Sequence, residues 1–226
     1  MSRVCEAEGM VEAEEVEQYA SLVRKRERFM DRPFVNGILR QCPPNGSVAD
    51  IGTGPGQMPI MLASARPDLT VHGVDLSAKM LEVARRSAAE AGLAKRVAFH
   101  EADAKALPLN DNTFDMVVSH VMLHHAEDPT FALAEMMRIL KPGGRLLLKD
   151  ICRTPDWTIT PTARLLGALA GYTPEETRLY EDSIRSAFSI KEIREHARRL
   201  PSLRSARIRR SALLFYIIEC VKSPAP

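Results

Sequence analysis

The chain has 226 residues, 45% of them hydrophobic and 27% charged, and its 31 Lys and Arg against 29 Asp and Glu leave a formal net charge of +2. That is enough apolar chain for one full three-layer core, and the near balance of charge excludes a protein whose composition is governed by polyanion binding. No apolar run reaches the roughly 18 residues of a membrane span. The opening M-S-R-V-C-E-A-E lacks the basic-then-apolar order of a secretory leader, so a cytoplasmic protein is expected.

Residues 1–40 read as helical: a Glu-rich opening, a stretch from Tyr19 to Met30 carrying Arg24, Lys25, Arg26 and Arg28 as a solvated face, then Phe34 to Leu39. An apolar run then ends in an acid and three alternate glycines, V-A-D-I-G-T-G-P-G-Q over 48–57. Gly52, Gly54 and Gly56 can take positive φ and let a ligand approach the main chain. Pro55 and Pro59 suit the first turn of the helix that follows. The pattern is G-x-G-x-G, whereas dinucleotide enzymes use G-x-G-x-x-G. A tight turn without a ligand is the plainer reading of this stretch taken alone.

The next strand, L-T-V-H-G-V-D, ends at Asp75, nineteen positions after Gly56. A carboxylate there suits a ribose diol; it also lies beside a helix start, for which Ser77 is the better cap, with Gly92 closing the helix after Ala91. A third strand, R-V-A-F-H-E, leads into A-D-A at 102–104, and a fourth, T-F-D-M-V-V-S, leads into H-V-M-L-H-H at 120–125. The segment L-K-P-G-G-R-L-L-L-K-D over 140–150 is a helix end, a turn and an apolar strand of the kind buried on both faces of a parallel sheet. Cys5, Cys42, Cys152 and Cys220 lie far apart without a C-x-x-C pair, which argues against a zinc centre or a disulfide scaffold, and no metal is expected.

These five motifs, in order over residues 46–151, resemble those of class I S-adenosylmethionine (SAM)-dependent methyltransferases, in particular the small-molecule branch that includes quinone-biosynthesis enzymes. The resemblance implies an α/β protein: a three-layer α/β/α sandwich, one domain over 1–226, with a seven-stranded sheet of order 3-2-1-4-5-7-6 whose last strand is antiparallel. Residues 1–40 would cap the substrate cavity, 46–151 form the SAM-binding core and 153–183 a helical lid, with short helical patterns at 163–170 and 174–184. Residues 189–222 would be the last helix and a hairpin with strands at 202–210 and 211–221.

The resemblance also implies roles. Gly52, Thr53, Gly54, Gly56 and Gln57 would form the turn against the methionine part of SAM, with Asp50 near its ammonium. Asp75 would bind the ribose, Leu76 and Met80 flank the adenine, and Asp103 with Ala104 meet its amino edge. The main chain of Ser119 and His120 would hold the amino-acid tail. The expected reaction is in-line methyl transfer to a small-molecule acceptor, leaving S-adenosylhomocysteine, a reaction in which positioning matters more than a base. Where the acceptor is a hydroxyl, His124 or Asp150 would serve as base, although an L-H-H at this position also organises the loop. Tyr19, His124 and Tyr172 are candidate substrate contacts, and Trp157, Leu165, Leu166 and Leu169 give the lid an apolar character.

Other readings stay open at this point. Arg194, Arg198, Arg199, Arg204, Arg207, Arg209 and Arg210 would suit an RNA methyltransferase, against which stand the low net charge and few aromatics, so nucleic acid is not the expected partner. Cys152 would suit a metalloid or thiol methyltransferase, and a non-catalytic SAM-binding partner subunit keeps the same motifs. The Asp- or Asn-Pro-Pro-aromatic signature of nucleic-acid and protein amide N-methyltransferases is missing after the fourth strand, where S-H-V-M stands instead.

Overall fold

A computed structural model of the chain describes residues 3, 13–26, 32–211 and 214–224. The chain before residue 13 apart from Arg3, and the expected helical residues around Arg28, lie outside the described residues. Two helices, α1 (Ala13–Arg26) and α2 (Arg32–Gln41), precede an alternating series: β1 (Ser47–Ile51), α3 (Gln57–Ala65), β2 (Thr70–Asp75), α4 (Ala78–Glu90), β3 (Val97–Glu101), β4 (Phe114–His120), α5 (Pro129–Ile139) and β5 (Leu140–Ile151). Three helices, α6 (Asp156–Ala170), α7 (Pro174–Ser186) and α8 (Ile190–Arg198), then lead to the strands β6 (Arg207–Ser211) and β7 (Phe215–Val221).

The seven strands form one sheet in the order β3-β2-β1-β4-β5-β7-β6, with β7 antiparallel to both neighbours, as the resemblance implied. The central strands are apolar on both faces because both faces are covered. α2 and α3 bring Phe34, Ile38, Met58 and Leu62 onto Val48, Met116 and Val118. On the opposite face α5 and α8 bring Leu133, Met136, Ile193 and Ala197 onto Ala49, Val117 and Leu148. Each fully buried aliphatic side chain of this kind contributes about 1.5–3 kcal/mol. The strand order reverses between β1 and β4, where connections leave to opposite sides and a crevice opens at the strands' carboxyl ends.

Local signals explain most helix ends. Ser77 caps α4 by accepting from the Met80 amide, and Gly92 (φ +72) follows its end. Thr173 with Glu176, and Ser189 with Glu192, close reciprocal capping boxes on α7 and α8. A third layer, α1 with α6 and α7, packs Leu22, Ile159, Tyr180 and Ile184 over Val121, Ile151 and Phe215 at the carboxyl end of the sheet.

Three boundaries differ from the sequence reading. α6 starts at Asp156, seven residues before the expected pattern, and runs through Pro161. The bond that proline forfeits would go to the carbonyl of Trp157, which is 81% exposed, so solvent replaces it. The expected strand over 202–210 starts only at Arg207, because Pro201 opens a short helical turn that buries Leu203. Pro55 lies in the glycine turn ahead of α3, and only Pro59 falls in its first turn.

Candidate active site

At the end of β1 the chain enters the glycine turn with Gly52, Gly54 and Gly56 at φ +74, +53 and +80. A side chain at Gly52 would force a shift, since its Cβ would lie 2.1 Å from Met122 Cγ. Gly54 is different: the nearest atom to a Cβ there is Tyr19 Cε1 at 3.8 Å, so the turn faces open space. Asp75, at the end of the neighbouring strand, fixes this turn. Its Oδ2 accepts from the Gly54 amide at 2.7 Å and its Oδ1 from the Ser77 amide at 2.9 Å. Burial raises the Asp75 pKa, and these two amides oppose the rise. A carboxylate has about four acceptor sites, so further donors can still be taken.

Asp50 lies beneath the turn, 1% exposed, with no hydrogen-bond partner for Oδ1. Burial pushes its pKa up to about 7; the nearby Thr53 hydroxyl, whose geometry falls short of a hydrogen bond, tempers the rise, and the charge of Asp75 adds to it. A buried carboxylate and hydroxyl left unpartnered at the mouth of a cleft are groups prepared for a ligand. The cleft itself holds about 430 Å³ of empty space and is partly open. Asp50, Gly52, Thr53, Gly54, Gln57 and His120 line one side, and Tyr19 and Val23 of α1 close the other.

The chain has recognisable relatives. Residues 49–148 match the family model described as a methyltransferase domain. The chain is 41% identical over 107 residues to 27-O-demethylrifamycin SV methyltransferase of Amycolatopsis mediterranei, covering 47% of this chain and 39% of that protein. It is 31% identical over 159 residues to demethylmenaquinone methyltransferase of Lactiplantibacillus plantarum, covering 66% of this chain and 67% of that protein. The chain belongs to the SAM-dependent methyltransferase family. The chain spans 39% to 66% of the length of the first three curated relatives it matches. Its fold is also that of a SAM-dependent methyltransferase from Aquifex aeolicus, with a TM-score of 0.67 at 19% identity over 94% of this chain and all of that one.

The remaining candidate donor-site residues divide into three groups. Leu76, 44% exposed, stands at the open edge after Asp75, while Met80 is buried under α1 against Val16, Ala20 and Tyr19. Asp103 is partly exposed beyond β3, where its Oδ1 accepts from the Lys105 amide, and Ala104 packs at the margin of the core. Ser119 is wholly buried, its hydroxyl spent on the Ile51 carbonyl at 2.7 Å, which leaves only its main chain to serve the cleft. His120 reaches the cleft and stacks on Phe34 at 5.2 Å.

The acceptor-side expectations need correction. Asp150 is 0% exposed, and its oxygens accept from the Met122, Leu123 and Ile151 amides and meet His124 Nδ1 at 2.8 Å. Burial pushes its pKa up, but the His124 ring and the Ile151 amide bring it below the usual carboxylate value. His124 is itself 1% exposed and bound to that carboxylate. The pair is thus buried and joins the start of the loop 121–128 to the end of β5. Tyr172 does not line the cleft and packs edge-to-face on Tyr180, 6.0 Å between ring centres. Cys152 is 0% exposed with its thiol pKa raised by burial, so its sulfur is closed off from the cleft. Two of the arginines counted toward RNA serve the fold: Arg194 donates to the Ile208 carbonyl and Arg209 to Glu219.

Two features escaped the sequence reading. Val121 sits at φ +55, a strained conformation for a β-branched residue, directly after β4. Lys149 is 6% exposed beside His120 in the strand register, its ammonium 4.5 Å from the Phe215 ring centre and 5.9 Å from that of Phe34. The break in the apolar run of β5 by a lysine and an aspartate was the available signal. No helix among the described residues is long and apolar enough to cross a membrane, and no group of three or more His, Cys, Asp or Glu there is arranged to hold a metal ion.

Proposed function

We propose that this chain transfers a methyl group from SAM to a small-molecule acceptor and releases S-adenosylhomocysteine. The observation that carries this reading is the buried, unpartnered carboxyl oxygen of Asp50 beneath a turn whose glycines leave open space. SAM is a zwitterion with a cationic sulfonium, so a buried carboxylate at one polar end and a second carboxylate at the ribose suit its charge pattern. When bound, SAM supplies a methyl group already activated for displacement.

The residues have distinct tasks in this reading. Asp50 accepts from the ammonium of the donor, assisted by Thr53, and gains its charge in doing so. Asp75 takes the ribose hydroxyls with the lone pairs that Gly54 and Ser77 leave over. Leu76 and Met80 lie along the adenine, Asp103 and the Ala104 main chain meet its edge, and the main chain at Ser119 and His120 holds the amino-acid tail with Gln57. Tyr19, carried by α1, closes the cleft over Gly54 and excludes water from the transfer. In this reading His124 and Asp150 position the loop, and because the donor is already activated the proton that a hydroxyl acceptor loses on methylation can pass to solvent.

The acceptor is assigned to the small, apolar or amphipathic class. Its support lies in the methionines Met58 and Met61 along the cleft, which adapt to irregular apolar shapes, and in relatives whose names specify rifamycin and demethylmenaquinone methylation. Titration calorimetry with SAM, S-adenosylhomocysteine and NAD tests the donor: the first two should bind and NAD should not. Incubation with SAM and a cell extract, followed by mass spectrometry, should then find small molecules that have gained one methyl group. Binding of NAD in preference to SAM would overturn the assignment.

A further inference from the structure

Arg3 lies far from the cleft in sequence and is absent from every motif above, yet its guanidinium is surrounded by four main-chain carbonyls. Nε donates to Ser186 O at 2.5 Å, Nη1 to Glu127 O at 3.1 Å, and Nη2 to His124 O and Ala126 O at 2.5 and 2.6 Å. The flat group also lies on the ring of Phe188, 3.9 Å from its centre. Physically this is a cation site made from chain ends. Ser186 is the last residue of α7, and His124 and Ala126 end or follow a single helical turn over Leu123–His125. The final carbonyls of a helical segment lack intrahelical partners and carry the negative end of its dipole. A planar guanidinium with five donors can join two such ends, which a lysine with three donors on a point charge does poorly.

We infer that Arg3 is a positioning residue: it ties the loop 121–128 to the end of α7 and thereby holds the wall of the donor cleft. The connection from Arg3 to the cleft is short. The carbonyl it grips at His124 belongs to the residue whose ring meets Asp150 Oδ1, while Asp150 Oδ2 holds the Met122 and Leu123 amides. The Met122 side chain then fills the space against Gly52, so the loop's position sets the shape of the glycine turn. At the other end, α7 carries Glu176, which pairs with Lys25 of α1 at 2.6 Å, and α1 carries Tyr19 into the cleft. Arg3 therefore links both walls of the cleft without touching either. The strained Val121 at the root of this loop shows why a tie is needed: its conformation persists only while neighbouring contacts over-determine it.

This inference rests on the donor reading of the cleft, and the experiment separates the two. Arg3→Met keeps an apolar stem over Phe188 and removes the donors; Arg3→Lys keeps charge without the planar fork. In Arg3→Met, SAM affinity by calorimetry should fall about tenfold, within the usual range of coupling between distinct sites. Arg3→Lys should fall between Arg3→Met and the unaltered chain. Millimolar guanidinium, which fits the vacated carbonyl cradle, should restore much of the affinity in Arg3→Met, whereas equal sodium chloride should not. Hydrogen exchange in the 121–128 segment should accelerate in Arg3→Met and slow again with guanidinium, while exchange in β2 and β3 stays unchanged. A lowered melting temperature with unaltered SAM affinity, or a loss that guanidinium leaves untouched, would overturn the inference. Should the unaltered protein bind no SAM, the donor reading fails, and the exchange measurement alone still decides whether Arg3 holds the loop.

Discussion

Asp50 stands where a charge is disfavoured until a ligand arrives, and this gives it a measurable signature. Its folded-state pKa of about 7 lies above the usual 3.8, so the fold favours the protonated form. The stability associated with that proton is fully present below the unfolded pKa and is lost as pH rises through about 7. The shift corresponds to an upper limit on the order of 4 kcal/mol. Asp50→Asn should therefore raise the melting temperature of the ligand-free protein above pH 7 and flatten its fall with pH, while weakening SAM binding. Equal melting curves for the two proteins at acid and alkaline pH would remove the proposed burial effect. Gly52 offers a second residue-scale test. Gly52→Ala drives a methyl into Met122 at a left-handed backbone position, a loss of about 1–3 kcal/mol in stability. Combining it with Met122→Gly, which removes both the Cγ at 2.1 Å and the Cβ at 2.5 Å, should recover part of that loss in a double-mutant cycle, because the two sites share one space.

Among the elements, α7 depends on a single buried acid. Glu176 is 3% exposed, accepts from the Thr173 amide at 2.7 Å as part of the capping box, and pairs with Lys25 of α1. Burial alone would raise its pKa, yet Lys25 and the Thr173 amide bring it below the usual value. Its contribution is thus present above the unfolded pKa and disappears as pH falls through the folded one. Glu176→Ala should remove about 1–2 kcal/mol by undoing the cap and stranding Lys25. Chemical denaturation measures that loss, and faster proteolysis within α1 should accompany it. An unchanged denaturation midpoint would mean that α7 is held by packing alone. The capping signals T-P-E-E and S-I-K-E are visible in the chain, but the pairing of Glu176 with a helix 151 positions away is a product of packing.

For the whole molecule, the donor reading makes a thermodynamic demand. A ligand at a hundredfold excess over its dissociation constant adds about 2.7 kcal/mol of stability, or roughly 5–10 °C in melting temperature for a domain this size. SAM and S-adenosylhomocysteine should both produce such a shift, and NAD none. Acid should act on the edge of the sheet as well: His72 of β2 meets His100 of β3 at 2.9 Å, and burial, aided by the neighbouring imidazole, lowers the His72 pKa. A lowered histidine favours the neutral ring, so stability is full above the unfolded pKa and falls with pH below it. His72→Gln should flatten the loss of melting temperature between about pH 7 and about pH 5.

The division between chain and fold follows from the range of the forces involved. The strands of the core, the glycine turn and Asp75 were legible because each rests on local features: apolar alternation, a residue without Cβ, a carboxylate at a strand end; the order of the strands came from the family resemblance. The run into Asp150 was equally visible, but its role was not, since whether a carboxylate faces a cleft or four internal donors depends on where a distant loop folds. Arg3 and Lys149 had no local mark beyond their charge. Arg3 meets carbonyls 121 to 183 positions away, and Lys149 meets rings from α2 and β7. The sequence by itself determined the core strands, the glycine turn and the acid at the end of each of the first two strands, because backbone conformation and periodic burial are written in neighbouring residues. Only the tertiary structure decided that Asp150 meets His124 and the Met122 and Leu123 amides and that Arg3 meets the carbonyls of the same loop, because hydrogen-bond satisfaction in the interior is settled by residues brought together from separate parts of the chain.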